Sequence, residues 1–332
     1  IRCTQNPTMG EEWRKGWHPE YIISRNRKDS ILIVGGGPSG LESAVILAKR
    51  GFRVILTESS SELGGRVTRE SNLPGLSEWI RVRDYRLKML KKLDNVKIYL
   101  GSHLDYRDII EFSKEAEFIF SHVFLATGST WRKDGIAREN REPISGLENI
   151  LVLSADDLFL GESVNGKVVI FDDEHYYMGG VLAEKLRYDG HEVSLVTPAP
   201  DISNWTHNTM EQGRIQKKLL EIGVKLFPQK NIHSVNNRSI DLACIFTDRI
   251  KRYECDTLVL VTERMPNDEL YQNLKNEKFE FSKSRIKSIQ SIGDCLAPGI
   301  IAAAVHSGHL AARELENANK EEVPFLRERV EI

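Results

Sequence analysis

The chain has 332 residues, 46 basic and 48 acidic, and 40% are apolar. That length suits two or three domains with sizeable cores. The charge balance gives no field for nucleic-acid binding, and no apolar run is long enough for a membrane-crossing helix. The start, IRCTQNPTMGEEWRKGW, is polar, carries no signal peptide and lacks an initiator Met, which suggests a processed or excised piece. Cys3, Cys244, Cys255 and Cys295 are scattered, form no C-x-x-C pair and read as free thiols in a reducing cytoplasm.

Residues 1–30 hold no periodic element. Trp13, Trp17, His18 and Pro19 amid charge read as an arm lying on another surface, of this chain or of a partner. Ile31–Val34 then reads as a buried parallel strand. Gly35, Gly37 and Gly40 follow as G-x-G-x-x-G, around Pro38 and Ser39. Gly35 allows the sharp turn, Gly37 lets a pyrophosphate approach the backbone, and Gly40 lets the helix pack close to the strand. The helix N-terminus offers free N–H groups and about half a positive charge. A second strand, Arg53–Leu56, leads to Glu58, whose carboxylate suits a ribose 2′-OH and repels a 2′-phosphate. The loop Ser59–Arg66 holds a second glycine pair, Gly64-Gly65, either more backbone for the phosphates or a plain surface turn. Trp79–Leu93 reads as a basic helix with a solvated face, and Val96–Leu100 as a strand. Val123–Leu125 runs into Ala126-Thr127-Gly128, a small-residue turn where ligands collect in parallel sheets.

After a polar crossing at 132–149 the pattern repeats: strand Lys167–Phe171, helix Gly180–Tyr188, strand Glu192–Val196. The turn does not repeat. Asp172, Asp173 and Glu174 stand where the first unit has glycines, so this site is closed to NAD(P)H, and the acids read as caps of the following helix. Asn208–Ile222 reads as a helix, Val224–Phe227 and Thr257–Thr262 as strands, and Ile300–Leu315 as an Ala-rich last helix before a charged tail. Asp294, after Gly293, reads either as a partner for a ribose or polyol hydroxyl or as the cap of that helix.

Together the Gly35–Gly40 fingerprint, Glu58, the Ala126–Gly128 turn and Gly293-Asp294 resemble flavoproteins of the glutathione-reductase type. A more specific set resembles the C-terminal half of the trimethylamine, dimethylamine and histamine dehydrogenase family. It comprises Cys3-Thr4-Gln5-Asn6, Gly10-Glu11-Glu12, Gly16-Trp17-His18-Pro19, Leu73-Pro74-Gly75, Glu78-Trp79, Arg83-Asp84-Tyr85-Arg86 and Ala183-Glu184-Lys185-Leu186. The resemblance implies an α/β fold of two Rossmann-like domains with parallel sheets. It places an arm at 1–30, an FAD/ADP-binding domain at 31–150 with 285–332, and an NAD(P)-binding-like domain at 151–284. In that family an N-terminal barrel carries FMN, four cysteines hold a [4Fe–4S] cluster, and the C-terminal half retains ADP. Cys3 matches one cluster ligand without its companions, so neither FMN, cluster nor amine oxidation is expected of this chain alone. Residues 233–253 look short against the larger enzymes, so the second domain reads as trimmed.

The leading reading is an ADP-binding module without catalysis of its own. Its expected contacts are Gly35, Gly37, Pro38, Ser39, Gly40, Glu58, Ser59, Gly65, Arg66, Ala126, Thr127, Gly128 and Asp294. The alternatives are a full FAD enzyme, or a docking partner for an FMN/iron–sulfur barrel with the nucleotide as a staple.

Overall fold

The computed structural model describes residues 2–15, 17, 20–24, 29–114, 120–247, 249–277 and 284–316. It divides into two compact units, one of 1–71, 78–129 and 266–332, the other of 72–77 and 130–265. The chain passes between them at 71/72, 77/78, 129/130 and 265/266.

The first unit opens with a single turn, α1 (Glu12–Lys15). Strand β1 (Ser30–Val34) is buried at all five positions, as a central parallel strand requires. Helix α2 (Pro38–Lys49), strand β2 (Arg53–Thr57), the short α3 (Arg66–Glu70), α4 (Arg81–Leu90) and β3 (Val96–Tyr99) follow. The basic helix is thus shorter than expected, preceded by a 3-10 turn at Ser77–Ile80. Then come α5 (Tyr106–Phe112), where Asp105 accepts the Arg107 and Asp108 N–H groups and Asp108 accepts the Asp105 N–H, and β4 (His122–Leu125).

The chain crosses through β5 (Ser129–Trp131). The second unit runs β6 (Leu151–Ser154), α6 (Ala155–Phe159), β7 (Lys167–Asp172), α7 (Met178–Tyr188) and β8 (Glu192–Val196). The helix expected from Asn208 is split. A 3-10 turn covers Asn204–Thr209, Met210 takes a left-handed φ of 60°, and α8 starts only at Gln212, ending at Glu221. Strand β9 (Lys225–Phe227) precedes β10 (Lys230–Asn236), β11 (Ser239–Cys244) and β12 (Ile250–Glu254), which pair as an antiparallel three-stranded sheet. In the stretch expected to hold turns and hairpin-like pieces, the chain forms a third sheet. Strand β13 (Thr257–Val261) and the return strand β14 (Arg264–Pro266) end the unit. Helix α9 (Glu269–Asn276), β15 (Ser288–Ser291) and α10 (Ile301–Glu314) complete the first unit. Helix α9 belongs there because it packs on α5 and β15, with Leu274 buried among Leu32, Ile109 and Val123.

Both large sheets are parallel and follow one plan. In the first the order is β15-β4-β1-β2-β3; in the second, β6-β13-β7-β8-β9. In each, the chain winds outward from an inner strand on one side and returns on the other. The switch points therefore lie between β1 and β4 and between β7 and β13, where an open parallel sheet leaves a crevice beyond its carboxyl ends. The first sheet is covered by α2 and α10 over Ile31, Ile33, Phe52 and Phe124, and on the other face by α5 and α9.

Candidate functional site

At the first switch point, Gly35 has φ 106°, and a Cβ there would fall 2.3 Å from the Ala126 carbonyl oxygen. The turn after β4 is thus seated on the turn after β1. A Cβ on Gly40 would fall 1.9 Å from the Gly35 carbonyl oxygen, so α2 rests directly on its own strand. Gly37 differs from both: a Cβ there would meet nothing within 4 Å. Its missing side chain leaves open space instead of serving an internal contact. Pro38 takes the first helical turn, and α2 starts from Gly37 with no side-chain cap.

The loop after β2 closes over the same place. Gly65 has φ 55°, and a Cβ on it would approach the Gly37 Cα to 3.2 Å. The Gly64 N–H donates to the Gly36 carbonyl at 2.8 Å. Of the two readings of that glycine pair, the one that brings backbone to the fingerprint matches the geometry. Glu58, 9% exposed, braces both loops. Its Oε2 accepts the Gly36 N–H at 2.7 Å, and its Oε1 accepts the Ser60 N–H at 2.9 Å and the Ser59 hydroxyl at 3.2 Å. The carboxylate is oriented before any ligand arrives. Arg66 donates to the Ser129 carbonyl at 2.7 Å. Thr127 Oγ1 donates to the Asn267 carbonyl at 2.6 Å, and Gly128 has φ 78° with open space at its Cβ position.

Asp294 joins this set, though not as a cap. Helix α10 starts from Ile300 without a side-chain cap, whereas Asp294 accepts the Ser129 hydroxyl at 3.0 Å and the Gly299 N–H at 3.1 Å. Gly293, at φ 63°, lies on Ser39: a Cβ would be 2.6 Å from the Ser39 Cβ. The Ser39 hydroxyl is buried with no hydrogen-bond partner among the described residues.

The second switch point is filled. Asp172 is the last residue of β7 and is wholly buried. Its Oδ1 accepts the N–H groups of Glu174 at 3.1 Å and His175 at 2.9 Å. Its Oδ2 faces Gly179 in the first turn of α7, where a Cβ would be 2.5 Å away. The acids do not cap α7, whose N-cap is Tyr177 with no side-chain bond. Asp173, also wholly buried, accepts the N–H groups of Glu139 at 3.0 Å and Asn140 at 3.3 Å, and lies 3.0 Å from His175 Nε2. His175 takes φ 68° to close the turn. Burial, with the charge of Glu174, pushes the Asp172 carboxyl up to about 7. The carboxyl group thus packs against the first turn of α7, where the first unit has open space at Gly37.

Two further features were outside the sequence reading. Arg86, on the basic helix expected to be solvated, is wholly buried and paired with Glu42 at 2.7 Å. Its spacing with the buried Val82 and Leu90 is the signal that could have found it. The arm lies on its own chain: Trp17 is buried, 4.9 Å from the His309 ring and 6.2 Å from His306. Gly16, His18, Pro19 and the tail from Asn317 lie outside the described residues, as does the Trp13 side chain. The described residues hold no group of three or more His, Cys, Asp or Glu able to bind a metal, and none of their helices is long and apolar enough to cross a membrane.

Two parallel sheets of this order, the first with an open glycine turn at its switch point, define a dinucleotide-binding flavoprotein architecture. The family model described as pyridine nucleotide-disulphide oxidoreductase matches residues 29–309, and the chain belongs to that family. It is therefore of the FAD- and NAD(P)-binding oxidoreductase type. Among individual proteins, the chain is 35% identical to dimethylamine dehydrogenase of Hyphomicrobium sp. (strain x), over 98% of this chain and 47% of that one. Histamine dehydrogenase from Rhizobium sp. 4-9 superposes with a TM-score of 0.94 at 40% identity, over 100% of this chain and 51% of that chain. The 6-hydroxypseudooxynicotine amine oxidase from Pseudomonas geniculata N1 gives 0.90 at 39%, over 96% and 46%. The chain spans about half the length of these relatives, in keeping with the half-enzyme resemblance read from the sequence.

Proposed function

We propose that the chain holds an adenine nucleotide, ADP, at the first switch point and performs no redox chemistry by itself. The observation that carries this reading is the open face of Gly37, bordered by Gly65, the oriented Glu58 and the uncapped start of α2. Backbone N–H groups there suit a pyrophosphate. Glu58 suits the ribose hydroxyls, with Ser59 and Ser60 beside it. Pro38, Ser39, Gly40, Arg66, Ala126, Thr127, Gly128 and Asp294 form the surrounding wall. The filled turn at Asp172 supports the absence of a second nucleotide and hence of NAD(P)H as reductant. In this reading the module serves an FMN- and iron–sulfur-bearing barrel in the cytoplasm, and Cys3 ligates nothing in this chain alone.

A full FAD is the second reading. Family membership favours it, as does Asp294, whose bond to Ser129 places a carboxylate beside the β4 turn where a polyol could reach it. A flavin supplies two-electron transfer when bound. The chain's own groups bind and orient its adenine half as described for ADP. An absorbance scan of purified protein separates the two. Release of ADP on denaturation with no visible band supports the first, and a flavin band overturns it. If neither ADP nor FAD raises the melting temperature as a native-state ligand must, both readings fail.

A further inference from the structure

We propose that Arg86 is a positioning residue for the nucleotide: it neutralises the buried Glu42 carboxylate, which His309 also holds in place by a hydrogen bond, so that the start of α2 can accept an anion. The inference rests on the nucleotide reading above and deepens it. Glu42 lies on the helix that presents its N-terminus to the phosphates, about 6 Å along the axis from Pro38 at 1.5 Å per residue. It is 4% exposed. A bare carboxylate there would repel each phosphate charge through low-dielectric protein, at a cost of roughly ten-fold in affinity per charge.

Two elements and the arm converge on it. From α4, Arg86 Nε donates to Glu42 Oε2 at 2.7 Å, while its NH1 donates to the Val82 carbonyl at 2.7 Å and fixes the guanidinium. From α10, His309 Nδ1 lies 2.8 Å from Glu42 Oε1. Arg86 and His309 are both wholly buried. Trp17 of the arm packs edge-on against the His309 ring and carries Arg313 over its own ring at 5.2 Å. Burial pushes the Glu42 carboxyl up, but the His309 bond and the Arg86 charge outweigh it and hold the group below its ordinary range. Glu42 thus stays ionised and cancels against Arg86.

The cluster is geared to the phosphate end by Gly308. A Cβ at that position would fall 2.2 Å from the Ser39 carbonyl oxygen, so α10 touches the backbone of the first turn of α2. The residue that sets this contact is the neighbour of His309, which bonds Glu42.

The test uses the intact chain and three ligands, ADP, AMP and adenosine, by calorimetry. Arg86→Met should lower ADP affinity at least ten-fold, AMP affinity less, and leave adenosine unchanged. Restoring neutrality with Glu42→Gln in the Arg86→Met chain should recover ADP binding. Arg86→Gln, which removes the charge but keeps a hydrogen-bonding side chain, gives the same ligand order should Arg86→Met fail to fold. An equal loss for all three ligands, or no recovery in the double variant, overturns the inference. Failure of the unmodified chain to bind any of the three would instead sink the nucleotide reading, and the two failures are read on different proteins.

Discussion

The two switch points are built alike and end differently. Each has an inner strand, a turn and a helix, and beside it a returning strand, β4 in one and β13 in the other. In the first, four glycines clear the turn: Gly35 for Ala126, Gly40 for Gly35, Gly65 for the approach to Gly37, and Gly37 for open space. In the second, one glycine, Gly179, makes room for a carboxylate from the same unit. An uncapped helix start over backbone N–H groups attracts an anion, whereas the start of α7 already faces a carboxyl group from its own unit. Asp172 also trades solvation for that place, since its Oδ2 has no hydrogen-bond partner among the described residues.

The comparison can be broken most forcefully by pH. The Asp172 carboxyl rises from an unfolded value of 3.8 to about 7. The folded protein therefore holds that proton more tightly than the unfolded chain. The stability it contributes is full below pH ~4 and is lost as pH rises through 7, on the order of 4 kcal/mol for a wholly buried group. His175 acts in the same direction: burial lowers it, but the Asp173 bond and the Asp172 charge raise it above its ordinary value, extending the loss upward. Urea midpoints at pH 4.5, 6 and 8 should fall with pH, and Asp172→Asn should flatten the profile. An equally steep profile in the variant would remove Asp172 from the account.

Next in size is Gly40→Val, whose Cβ would collide with the Gly35 carbonyl. It should cost about 3 kcal/mol in stability through overpacking and abolish ADP binding together with it. Gly37→Val separates the two effects. Because a Cβ there meets nothing in the protein, the urea midpoint should stay near that of the unmodified chain. ADP affinity should fall about 100-fold, a little under 3 kcal/mol. Unchanged affinity would move the site elsewhere. The smallest change is Glu58→Gln, which keeps the shape but weakens the charge-assisted bonds from Gly36 and Ser60 by about 1 kcal/mol. It should also relax rejection of 2′-phosphorylated ADP by several-fold, measured as the ratio of the two affinities.

Much of the first site was legible because it is local. Gly35 to Gly40 lie within one turn, the strands at 31 and 53 are apolar runs, and Glu58 follows at fixed spacing. The acidic character of the second turn was legible too, since three consecutive acids stand in place of glycine. Its mechanism was not. The acids were expected to cap α7, and only the packing of Asp172 on Gly179 and its bonds to Glu174 and His175 displace that idea. Long-range partners were invisible for the same reason. Asp294 read as either a hydroxyl partner or a cap until Ser129 appeared beside it, and Arg86 looked solvated until α4 turned it onto Glu42. The extra sheet β10–β12 depends on cross-strand pairing that a single polar strand does not announce.

Sequence by itself determined which backbone can turn sharply and which strands must be buried, because glycine's missing Cβ and a β-branched run act within a few residues. Tertiary structure alone decided which of those turns stays open. Occupancy of a crevice depends on what other parts of the chain bring to it: Gly65 and Ala126 arrive at the first with backbone, while β7 ends at the second with a carboxylate packed on Gly179.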